Sequence, residues 1–454
     1  MAVPRFGTDG IRGVANVDLT PEVALALGRA VARVLGIRGF LVGRDPRASG
    51  PMLQAALSAG LAAEGAPVVD VGVLPTPGVA FASRARQVPA AVVSASHNAF
   101  SDNGIKLFAA GGYKLDDETE AAIERELQSL LEGDRPRSGT ASVGALWPAD
   151  WVVPAYLEHL ARSLEGRRLD GLRVVLDCAN GAASAVAPPV FSDLGATVHV
   201  IADEPDGTNI NVKCGSTHPE ALAAAVVQTG ADVGLAFDGD ADRVLAVDAA
   251  GELVDGDQLL GMLARDRHAR GLLAEGTVVI TVMANLGLRQ ALMSAAISPL
   301  EVEVGDRHVL EALDLGGYSL GGEQSGHLIF FDLATTGDGL LTGLQVLDLM
   351  VRSGRPLAQL AAEAMTRVPQ ILRNVAVPAR AAEVVAAVRW AEAEEDALLG
   401  DDGRVLVRPS GTEPVVRVMV EAFDEKRALE AADRLVEEIE RAARSVAGRR
   451  PGPK

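Results

Sequence analysis

Short apolar segments alternate with amphipathic helical segments along most of the chain, and this alternation restricts the fold more than any other feature. Residues 20–36, TPEVALALGRAVARVLG, are typical of a helix, with Thr20 as its N-cap, Pro21 as its first residue and Gly36 at its end. The segments GFLVGRD, PAAVVSAS, RVVLDCANG, DVGLAF and TVVITVMAN are typical of buried strands. The pattern predicts mostly parallel α/β sheets, in which ligands bind at the carboxyl ends of the strands.

The length of the chain predicts more than one domain. A chain of 454 residues is too long for one compact core, so we expect two to four domains. Residues 132–150 are rich in Gly, Pro and Ser and are typical of a linker, and weaker boundaries are predicted near residues 254 and 369. Beyond residue 403, two strands around a loop precede a long helical segment, which predicts a small α+β domain.

Composition and charge exclude several classes of partner. A net charge of −19 with 4% aromatic residues argues against binding to nucleic acid or to an anionic membrane surface. The two cysteines, Cys178 and Cys214, form no CxxC pair and are expected to be free thiols in a reducing compartment. The first residues lack the apolar stretch of a signal peptide, and no apolar run is long enough to span a bilayer, so we expect a cytoplasmic protein.

The segment FDGDADR carries the strongest chemical signal. Asp238, Asp240 and Asp242 alternate with small residues, and in an extended segment alternate side chains point the same way. Three converging carboxylates repel one another unless a cation lies between them, and oxygen ligands suit a hard ion such as Mg²⁺ or Ca²⁺. An EF-hand loop is excluded because its sixth and twelfth positions hold Arg243 and Ala249. An acidic surface turn is the alternative.

The segment VVSASHNAF places Ser96 at the end of a predicted buried strand, directly before His97 and Asn98. One interpretation is a simple turn after the strand. The other is a reactive serine that carries a phosphoryl group, which brings about −1.5 to −2 charges. A phosphorylated Ser96 facing the three aspartates would complete a Mg²⁺ site.

Two further segments are candidate binding loops. In RPSGTEPVVR, Arg408 and Arg417 flank a tight loop of Ser410, Gly411 and Thr412, an arrangement suited to binding a phosphate. In GGEQSGH, alternation of Glu323, Ser325 and His327 predicts polar groups on one side of a pocket, suited to sugar hydroxyls and proton transfer. A hairpin loop and an exposed Gly-rich turn are the respective alternatives. Arg12, Arg44, Arg47 and Lys106 also lie among small residues, but for each alone a surface salt bridge is the commoner interpretation.

The motifs GTDGIRG, SASHN, DGDADR, GEQSGH and RPSGTEP, in this order, resemble the α-D-phosphohexomutase superfamily over nearly the whole chain. The segments GTNINVKCGSTHPE, VEVGDRHVLE and TTGDGLLTGLQ resemble its hexosamine-phosphate branch. The resemblance implies an α/β fold of four domains around a central cleft, three α/β domains and a small C-terminal α+β domain. We place them at residues 1–150, 151–253, 254–368 and 369–454.

The resemblance also implies the roles of the candidate residues. Ser96 would carry the catalytic phosphate and bind Mg²⁺ together with Asp238, Asp240 and Asp242. Glu323 and Ser325 would hold sugar hydroxyls, whereas the loop from Arg408 to Arg417 would hold the phosphate that does not react. The common TASHN motif reads SASHN here, so Ser94 is a second hydroxyl beside the predicted phosphosite.

The implied reaction passes a phosphoryl group from Ser96 to a hexosamine phosphate, giving a sugar bisphosphate that turns around and returns its other phosphate. Arg243 and Arg12 are expected near the phosphate. Lys106 and His327 are the candidate general bases, and His97 is a weaker one or a phosphate hydrogen-bond donor. The alternatives are a phosphomannomutase/phosphoglucomutase, a Mg²⁺-dependent phosphatase and a sugar-phosphate-binding regulator without turnover. A homodimer is left open.

Overall fold

The structure is a computed structural model that describes residues 5–7, 9–36, 39–133, 143–377, 380–410 and 414–448. It divides into two compact units, one of Met1–Met283 with Leu292–Ala364 and one of Ala284–Ala291 with Met365–Lys454. Within the described residues, no helix combines the length and apolar character needed to cross a membrane. The predicted helix after Thr20 is confirmed: the Thr20 side chain caps Val23 N, and Gly36 ends the helix with φ 58°.

The first sheet of the larger unit has seven strands in the order β1-β2-β6-β5-β3-β4-β7. Its central pairs β3/β4 and β3/β5 are parallel, whereas β2/β6 and β5/β6 are antiparallel. The strands are β1 (Phe6–Gly7), β2 (Gly10–Val14), β3 (Phe40–Arg44), β4 (Val68–Val73), β5 (Ala90–Val93), β6 (Asp102–Phe108) and β7 (Leu146–Pro148). The helices are α1 (Pro21–Leu35), α2 (Gly50–Ala63), α3 (Thr76–Arg86) and α4 (Asp117–Glu132).

The pairing of α1 with α2 depends on two glycines. A Cβ on Gly28 would lie 2.2 Å from Leu57 O, and one on Gly60 would lie 2.1 Å from Leu25 O. Only residues without a side chain permit this approach of the two backbones. The predicted linker is partly wrong, because β7 pairs in parallel with β4 as an edge strand; residues 134–142 lie outside the described part of the chain.

The second sheet has five strands in the order β12-β11-β10-β8-β9, parallel between β8, β9 and β10 and antiparallel from β10 to β12. Its strands are β8 (Arg173–Asp177), β9 (Thr197–Ile201), β10 (Val233–Phe237), β11 (Val244–Asp248) and β12 (Leu253–Val254). Its helices are α5 (Val152–Arg162), α6 (Ala187–Asp193) and α7 (Glu220–Thr229). The free thiols predicted for Cys178 and Cys214 are confirmed, and both are buried.

The third sheet has the order β14-β13-β15-β16, with β13 parallel to both of its neighbours. Its strands are β13 (Thr277–Thr281), β14 (Ser298–Val302), β15 (Leu320–Gly322) and β16 (Leu328–Phe330). The helices of this part of the chain are α8 (Gly256–Ala269), α10 (Asp306–Gly316), α11 (Gly339–Ser353) and α12 (Leu357–Ala364). The helix α9 (Leu286–Ser294) has its residues up to Ala291 in the smaller unit and the rest in the larger one. A capping box between Asp255 and Gln258 begins α8.

The smaller unit contains an antiparallel sheet in the order β17-β19-β18. Its elements are β17 (Gln370–Ala376), α13 (Ala381–Leu399), β18 (Gly403–Pro409), β19 (Val415–Ala422) and α14 (Glu425–Gly448). Valines of β19 alternate inward against apolar residues of α13 and α14. The predicted strand–loop–strand and final helix are confirmed, and the strand β17 and the helix α13 precede them.

Candidate active site

Ser96 lies just beyond the fully buried strand β5, where the chain turns sharply. Its φ is 52°, a left-handed conformation that is uncommon for a residue with a side chain. The Ser96 hydroxyl is buried and donates a hydrogen bond of 2.5 Å to Asp238 Oδ2. The structure therefore places the predicted reactive serine directly on the acidic loop.

Ser94, the neighbouring hydroxyl, is held by other groups. Its Oγ donates to Asp45 Oδ2 at 2.6 Å and accepts from the backbone N–H of Ser96 at 2.9 Å. The Ser94 hydroxyl thus has partners in the first sheet, whereas that of Ser96 faces the acids.

The three aspartates follow β10 and are buried, and one carboxylate oxygen from each lies within 4.8 Å of the others. They converge in a turn closed by the bond from Ala241 N to Asp238 O, with Ala241 at φ 55°, so the expected extended segment is wrong. The backbone turn, rather than strand alternation, brings Asp238, Asp240 and Asp242 together. Burial and the charges of Asp242 and Asp240 raise the pKa of Asp238 well above its usual range.

This donor set fits a divalent cation. Among the described residues, Asp240 Oδ1 and Asp242 Oδ1 are buried without a hydrogen-bond partner. Buried polar atoms are nearly always paired, so two buried carboxylate oxygens without hydrogen-bond partners in one cluster suit a bound cation. All-carboxylate ligation favours a hard ion.

Lys106 supplies part of the missing positive charge. From β6 its Nζ lies 2.8 Å from Asp240 Oδ2, 3.1 Å from Asp242 Oδ2 and 3.2 Å from Asp9 Oδ1. Burial alone would lower the pKa of Lys106, but the three carboxylates raise it well above its ordinary value. In this arrangement Lys106 is a buried cation that balances the acids.

His327 is buried against the same loop. The backbone N–H of Gly337 donates to His327 Nε2 at 3.1 Å, and His327 Nδ1 lies 3.7 Å from Asp242 Oδ1. Because Nε2 accepts this hydrogen bond, the ring proton lies on Nδ1 and faces Asp242. A Cβ on Gly337 would come within 2.5 Å of the ring, so this glycine sets the position of His327.

His97 lies beside Ser96, and the charges of two arginines act on His97. His97 Nδ1 lies 3.4 Å from Ser96 Oγ, and burial together with the charges of Arg243 and Arg12 lowers the pKa of His97 to about 4. Arg243 Nε is 3.8 Å from Asp242 Oδ1, and Arg12 pairs with Asp9. The predicted basic residues are therefore grouped here, and His97 is neutral at neutral pH.

The GEQSGH segment forms a turn closed by the bond from Gly326 N to Glu323 O, so the predicted side-chain alternation is wrong here too. Gly326 has φ 89°, which suits glycine. Glu323 Oε1 accepts from Gly305 N at 3.1 Å, and Ser325 Oγ is buried without a hydrogen-bond partner among the described residues.

In the smaller unit, Arg408 of β18 and Arg417 of β19 are directly opposite in the antiparallel ladder. A hydrogen bond of 2.9 Å from Ser410 N to Val415 O continues the pairing of β18 with β19 beyond Pro409. The predicted loop residues Gly411 and Thr412 lie outside the described residues.

Comparison with known proteins agrees with this arrangement. Models of the four phosphoglucomutase/phosphomannomutase domains match the chain: α/β/α domain I at residues 4–133, domain II at 154–251, domain III at 255–368 and the C-terminal domain at 372–438. The phosphoglucosamine mutase of Rhodococcus opacus is 52% identical over 97% of this chain and 99% of its own length. That of Moorella thermoacetica is 53% identical over 92% of this chain and 95% of its own.

The chain belongs to the phosphoglucosamine mutases of the phosphohexomutase superfamily. A phosphoglucomutase/phosphomannomutase family protein from Burkholderia thailandensis has a similar structure, with a TM-score of 0.81, 28% identity and coverage of 98% of each chain. The N-acetylphosphoglucosamine mutase of Aspergillus fumigatus, determined with GlcNAc-6P and magnesium, shares the fold with a TM-score of 0.68 at 19% identity, over 97% of this chain and 96% of its own. The expected α/β fold of four domains is confirmed, and this family membership accounts for the order of the five motifs.

Several residues of the site were missed in the sequence. Asp9 forms ion pairs with Lys106 and Arg12. Asp306 Oδ2 lies 2.5 Å from Lys114 Nζ and 3.9 Å from His327 Nε2. Asp9 and Asp306 lie within GTDGIRG and VEVGDRHVLE, motifs that were quoted for other reasons. Their acidic character was the available signal, but nothing in the sequence pairs them with particular lysines.

Proposed function

We propose that this protein interconverts glucosamine 6-phosphate and glucosamine 1-phosphate in the cytoplasm, through a phosphoserine at position 96 and a bound sugar bisphosphate. The product would supply the synthesis of amino-sugar nucleotides and cell-wall precursors. The observation that carries the proposal is the contact of Ser96 Oγ with Asp238, at the edge of a buried cluster of three carboxylates.

Two balanced phosphoryl transfers make up the reaction. In the first, the bond from phosphorus to Ser96 Oγ breaks, a bond from phosphorus to the oxygen of the free sugar hydroxyl forms, the hydroxyl proton passes to a base, and Ser96 Oγ takes up a proton to leave as a hydroxyl. The bisphosphate then turns around. In the second transfer, the bond from its other phosphorus to the sugar oxygen breaks, a bond from that phosphorus to Ser96 Oγ forms, the Ser96 proton passes to a base, and the sugar oxygen takes up a proton to leave as a hydroxyl. Positioning and charge stabilisation supply most of the catalysis in such transfers.

Lys106, His327 and His97 are the candidates for the base, and the contacts of each bear on that role. Lys106 is charged and bonded to carboxylates, so it can accept a proton only after losing one. His327 Nε2 accepts from Gly337, and His97 is neutral but lies beside Ser96 Oγ. We retain Lys106 and His327 as candidate bases and infer that His97 donates a hydrogen bond to the phosphate on Ser96.

Asp238, Asp240 and Asp242, together with the phosphate on Ser96, would hold Mg²⁺. The bound ion would neutralise charge on the phosphate oxygens. Arg243 and Arg12 stand near Ser96 and would add positive charge there. Excess chelator should abolish turnover, and readdition of Mg²⁺ should restore it; full activity in chelator would contradict the metal role.

The remaining candidates bind substrate in this proposal. Glu323 and Ser325 would contact sugar hydroxyls, and the unpartnered Ser325 Oγ is free to do so within the described residues. Arg408, Ser410, Gly411, Thr412 and Arg417 would bind the phosphate that does not react.

The phosphate-binding role of Arg417 has a direct test. Loss of a charge-assisted contact costs roughly 1.5–3 kcal/mol, which is about tenfold to more than hundredfold in affinity. Arg417→Ala should therefore raise KM for the monophosphate by about that factor and let more bisphosphate escape. Arg373→Ala is the matched control, because Arg373 is a partly exposed arginine of the same sheet that lies 3.9 Å from Asp433. An unchanged KM would place the phosphate elsewhere.

The test of the function is an assay with glucosamine, glucose and mannose phosphates, combined with intact mass and peptide mapping. We expect the highest kcat/KM with a glucosamine phosphate, by about 10–200-fold, the range for small pocket differences. Equal or better kcat/KM with the other sugars would move the protein to the phosphomannomutase/phosphoglucomutase branch. Stimulation by a sugar bisphosphate separates a mutase from a phosphatase.

We further infer the limits of the four domains at residues 1–150, 151–253, 254–368 and 369–454. Limited proteolysis with mass mapping tests them, since cuts should fall near these limits. We expect neither nucleic acid nor a membrane surface to bind a chain with a net charge of −19. A homodimer stays a prediction, which sedimentation measurements can decide.

A further inference from the structure

Ser96 has a backbone conformation that its own side chain does not favour. A left-handed φ of 52° on a residue other than glycine persists only where the surrounding groups hold it. The turn also has to aim the Ser96 hydroxyl at Asp238, because Asp238 Oδ2 is its acceptor. The groups that hold the Ser96 peptide therefore set the position of the reactive oxygen.

Ser94 holds the amide of Ser96. Its hydroxyl accepts from Ser96 N at 2.9 Å and donates its own proton to Asp45 Oδ2 at 2.6 Å. Both Ser94 and Asp45 have an exposed fraction of 0%, so no solvent replaces these bonds. The direction of the pair is fixed, since the Asp45 carboxylate can only accept.

Arg47 holds the carbonyl side of the same turn. Its Nη2 donates to Ser96 O at 2.7 Å and to Asn98 O at 3.0 Å, and its Nη1 donates to Asp102 O at 3.1 Å. Its Nε bonds to Asp45 Oδ2 at 2.8 Å, and the side chain is fully buried. The surface salt bridge expected for Arg47 is therefore wrong: this guanidinium lies inside the fold and binds backbone carbonyls.

Asn211, in the segment between β9 and α7, binds the same two carbonyls. Its Nδ2 donates to Ser96 O at 2.9 Å and to Asn98 O at 3.0 Å. Asn211 is itself fixed by the bond from its N–H to Ala179 O. Ser96 O thus accepts from two side chains that are far apart in the sequence.

We propose that Ser94, Arg47 and Asn211 are positioning residues for phosphoryl transfer at Ser96. They form a clamp, here called the Ser96 clamp, that holds the N–H and the C=O of Ser96 and so keeps its Oγ on the acid cluster. The inference rests on the proposed function, because it takes Ser96 as the residue that carries the phosphoryl group. It assigns Ser94 the role of a hydrogen-bond partner rather than that of a second phosphosite.

Ser94→Ala is the least disruptive substitution in the clamp, because it removes only one oxygen atom. We expect Ser94→Ala to lower kcat by about 10- to 100-fold, the cost of a small misplacement of a reacting group. KM should change little, because Ser94 does not contact substrate in this arrangement. Ser94→Thr, which retains the hydroxyl, should recover most of kcat.

A matched control separates positioning from stability. Ser83 is an equally buried serine whose hydroxyl donates to the carbonyls of Val88 and Ala109, away from the clamp. Ser83→Ala should lower Tm by a similar amount and leave kcat unchanged. If Ser83→Ala and Ser94→Ala lower kcat equally, or if Ser94→Thr is as slow as Ser94→Ala, the positioning role is wrong.

A substitution of Asn211 tests the part of the clamp that binds the Ser96 carbonyl. Asn211→Asp retains the size of the side chain but removes both N–H donors and sets a carboxylate against two carbonyls. We expect it to slow transfer from glucose 1,6-bisphosphate to Ser96, measured as phosphate incorporation by mass spectrometry. The double variant with Ser94→Ala should be less than additive, because both residues act through one turn. Wild-type rates of incorporation in both single variants would overturn the clamp.

This incorporation assay also distinguishes the two proposals. If wild-type Ser96 takes up phosphate but no glucosamine phosphate is converted, the sugar assignment fails and the clamp is still measured. If phosphate maps to Ser94, both the phosphosite and the clamp are wrong.

Discussion

Two buried acidic regions of this molecule, one in each compact unit, differ in how their oxygens are satisfied. In the smaller unit, Glu421 is fully buried, and both of its oxygens accept hydrogen bonds: Oε1 from Asn285 and Gln370, and Oε2 from Arg404 at 2.5 Å. In the larger unit, the acid cluster after β10 has three carboxylates, and the nearest basic side chain, Lys106, leaves two of their oxygens without hydrogen bonds.

If the proposed function is right, the difference separates a structural acid, Glu421, from the acids of the active site. A buried carboxylate with a full set of donors holds the fold together and has no capacity left for a ligand. A cluster with unsatisfied oxygens costs stability and persists because a ligand completes it. Substitutions in the acid cluster and at Glu421 test this difference.

Ser96→Ala should have the largest effect, the loss of turnover without loss of the fold. The change removes one hydroxyl at the edge of the acid cluster and little packing. Mutase assay and thermal unfolding together measure this. Near-wild-type turnover of the variant would show that the acid cluster serves some other reaction.

Glu421→Ala should have the largest effect on stability. Removing one partner of a largely buried ion pair costs up to about 3–5 kcal/mol, because Arg404, whose side chain is 13% exposed, loses its carboxylate partner and retains the carbonyl of Ala284. Urea unfolding of the variant measures the loss. Glu430→Ala, an exposed glutamate on α14, is the control and should change the free energy of unfolding by less than about 1 kcal/mol. Equal losses in the two variants would remove the contrast between the regions.

Asp238→Asn should weaken Mg²⁺ binding by about tenfold or more, since loss of a charge-assisted contact costs roughly 1.5–3 kcal/mol. In chelator the same change should raise the free energy of unfolding, because burial and the charges of Asp242 and Asp240, which together raise the pKa of Asp238, act against a carboxylate and not against a neutral amide.

Asp240→Asn is its matched control. It should weaken Mg²⁺ binding too, yet give no gain in chelator, because Lys106 loses the carboxylate that lies 2.8 Å away. Calorimetric titration and thermal unfolding decide both. If both variants are less stable than wild type in chelator, repulsion within the cluster is not significant.

Asp177 is a third buried acid, intermediate between Glu421 and the acid cluster. We expect its substitution to have the smallest effect, a change in how the free energy of unfolding depends on pH. Its oxygens accept from the backbone N–H groups of Ala179 and Gly215, and burial raises the pKa of Asp177 to about 6. The folded protein then binds this proton more tightly than the unfolded chain, whose pKa is 3.8, so stability falls as the pH rises from about 4 to about 6.

Relative to Asp177→Asn, the wild type should therefore gain about 1 kcal/mol when the pH is lowered from about 7 to 5. Urea unfolding at both pH values measures the difference. Parallel pH profiles of the two proteins would contradict it.

The sequence determined the α/β class, the small last domain and the residue types of the site, because hydrophobic periodicity and short motifs are local properties. It predicted Ser96 and the three aspartates, and the structure brings them together. It gave the wrong reason for their convergence, since a tight turn at Ala241, not an extended strand, groups the acids.

Only the tertiary structure decided which partner each group meets. Ser96 and Asp238 are 142 residues apart, and Lys106 and Asp240 are 134 apart, so no local pattern pairs them. The burial of Arg47 against the carbonyls of Ser96 and Asn98 depends on the packing of the turn after β5 against the segment after β3, and it could not be predicted from VGRDPRASG. Local preferences set the elements, whereas long-range packing and the satisfaction of buried charge set the site.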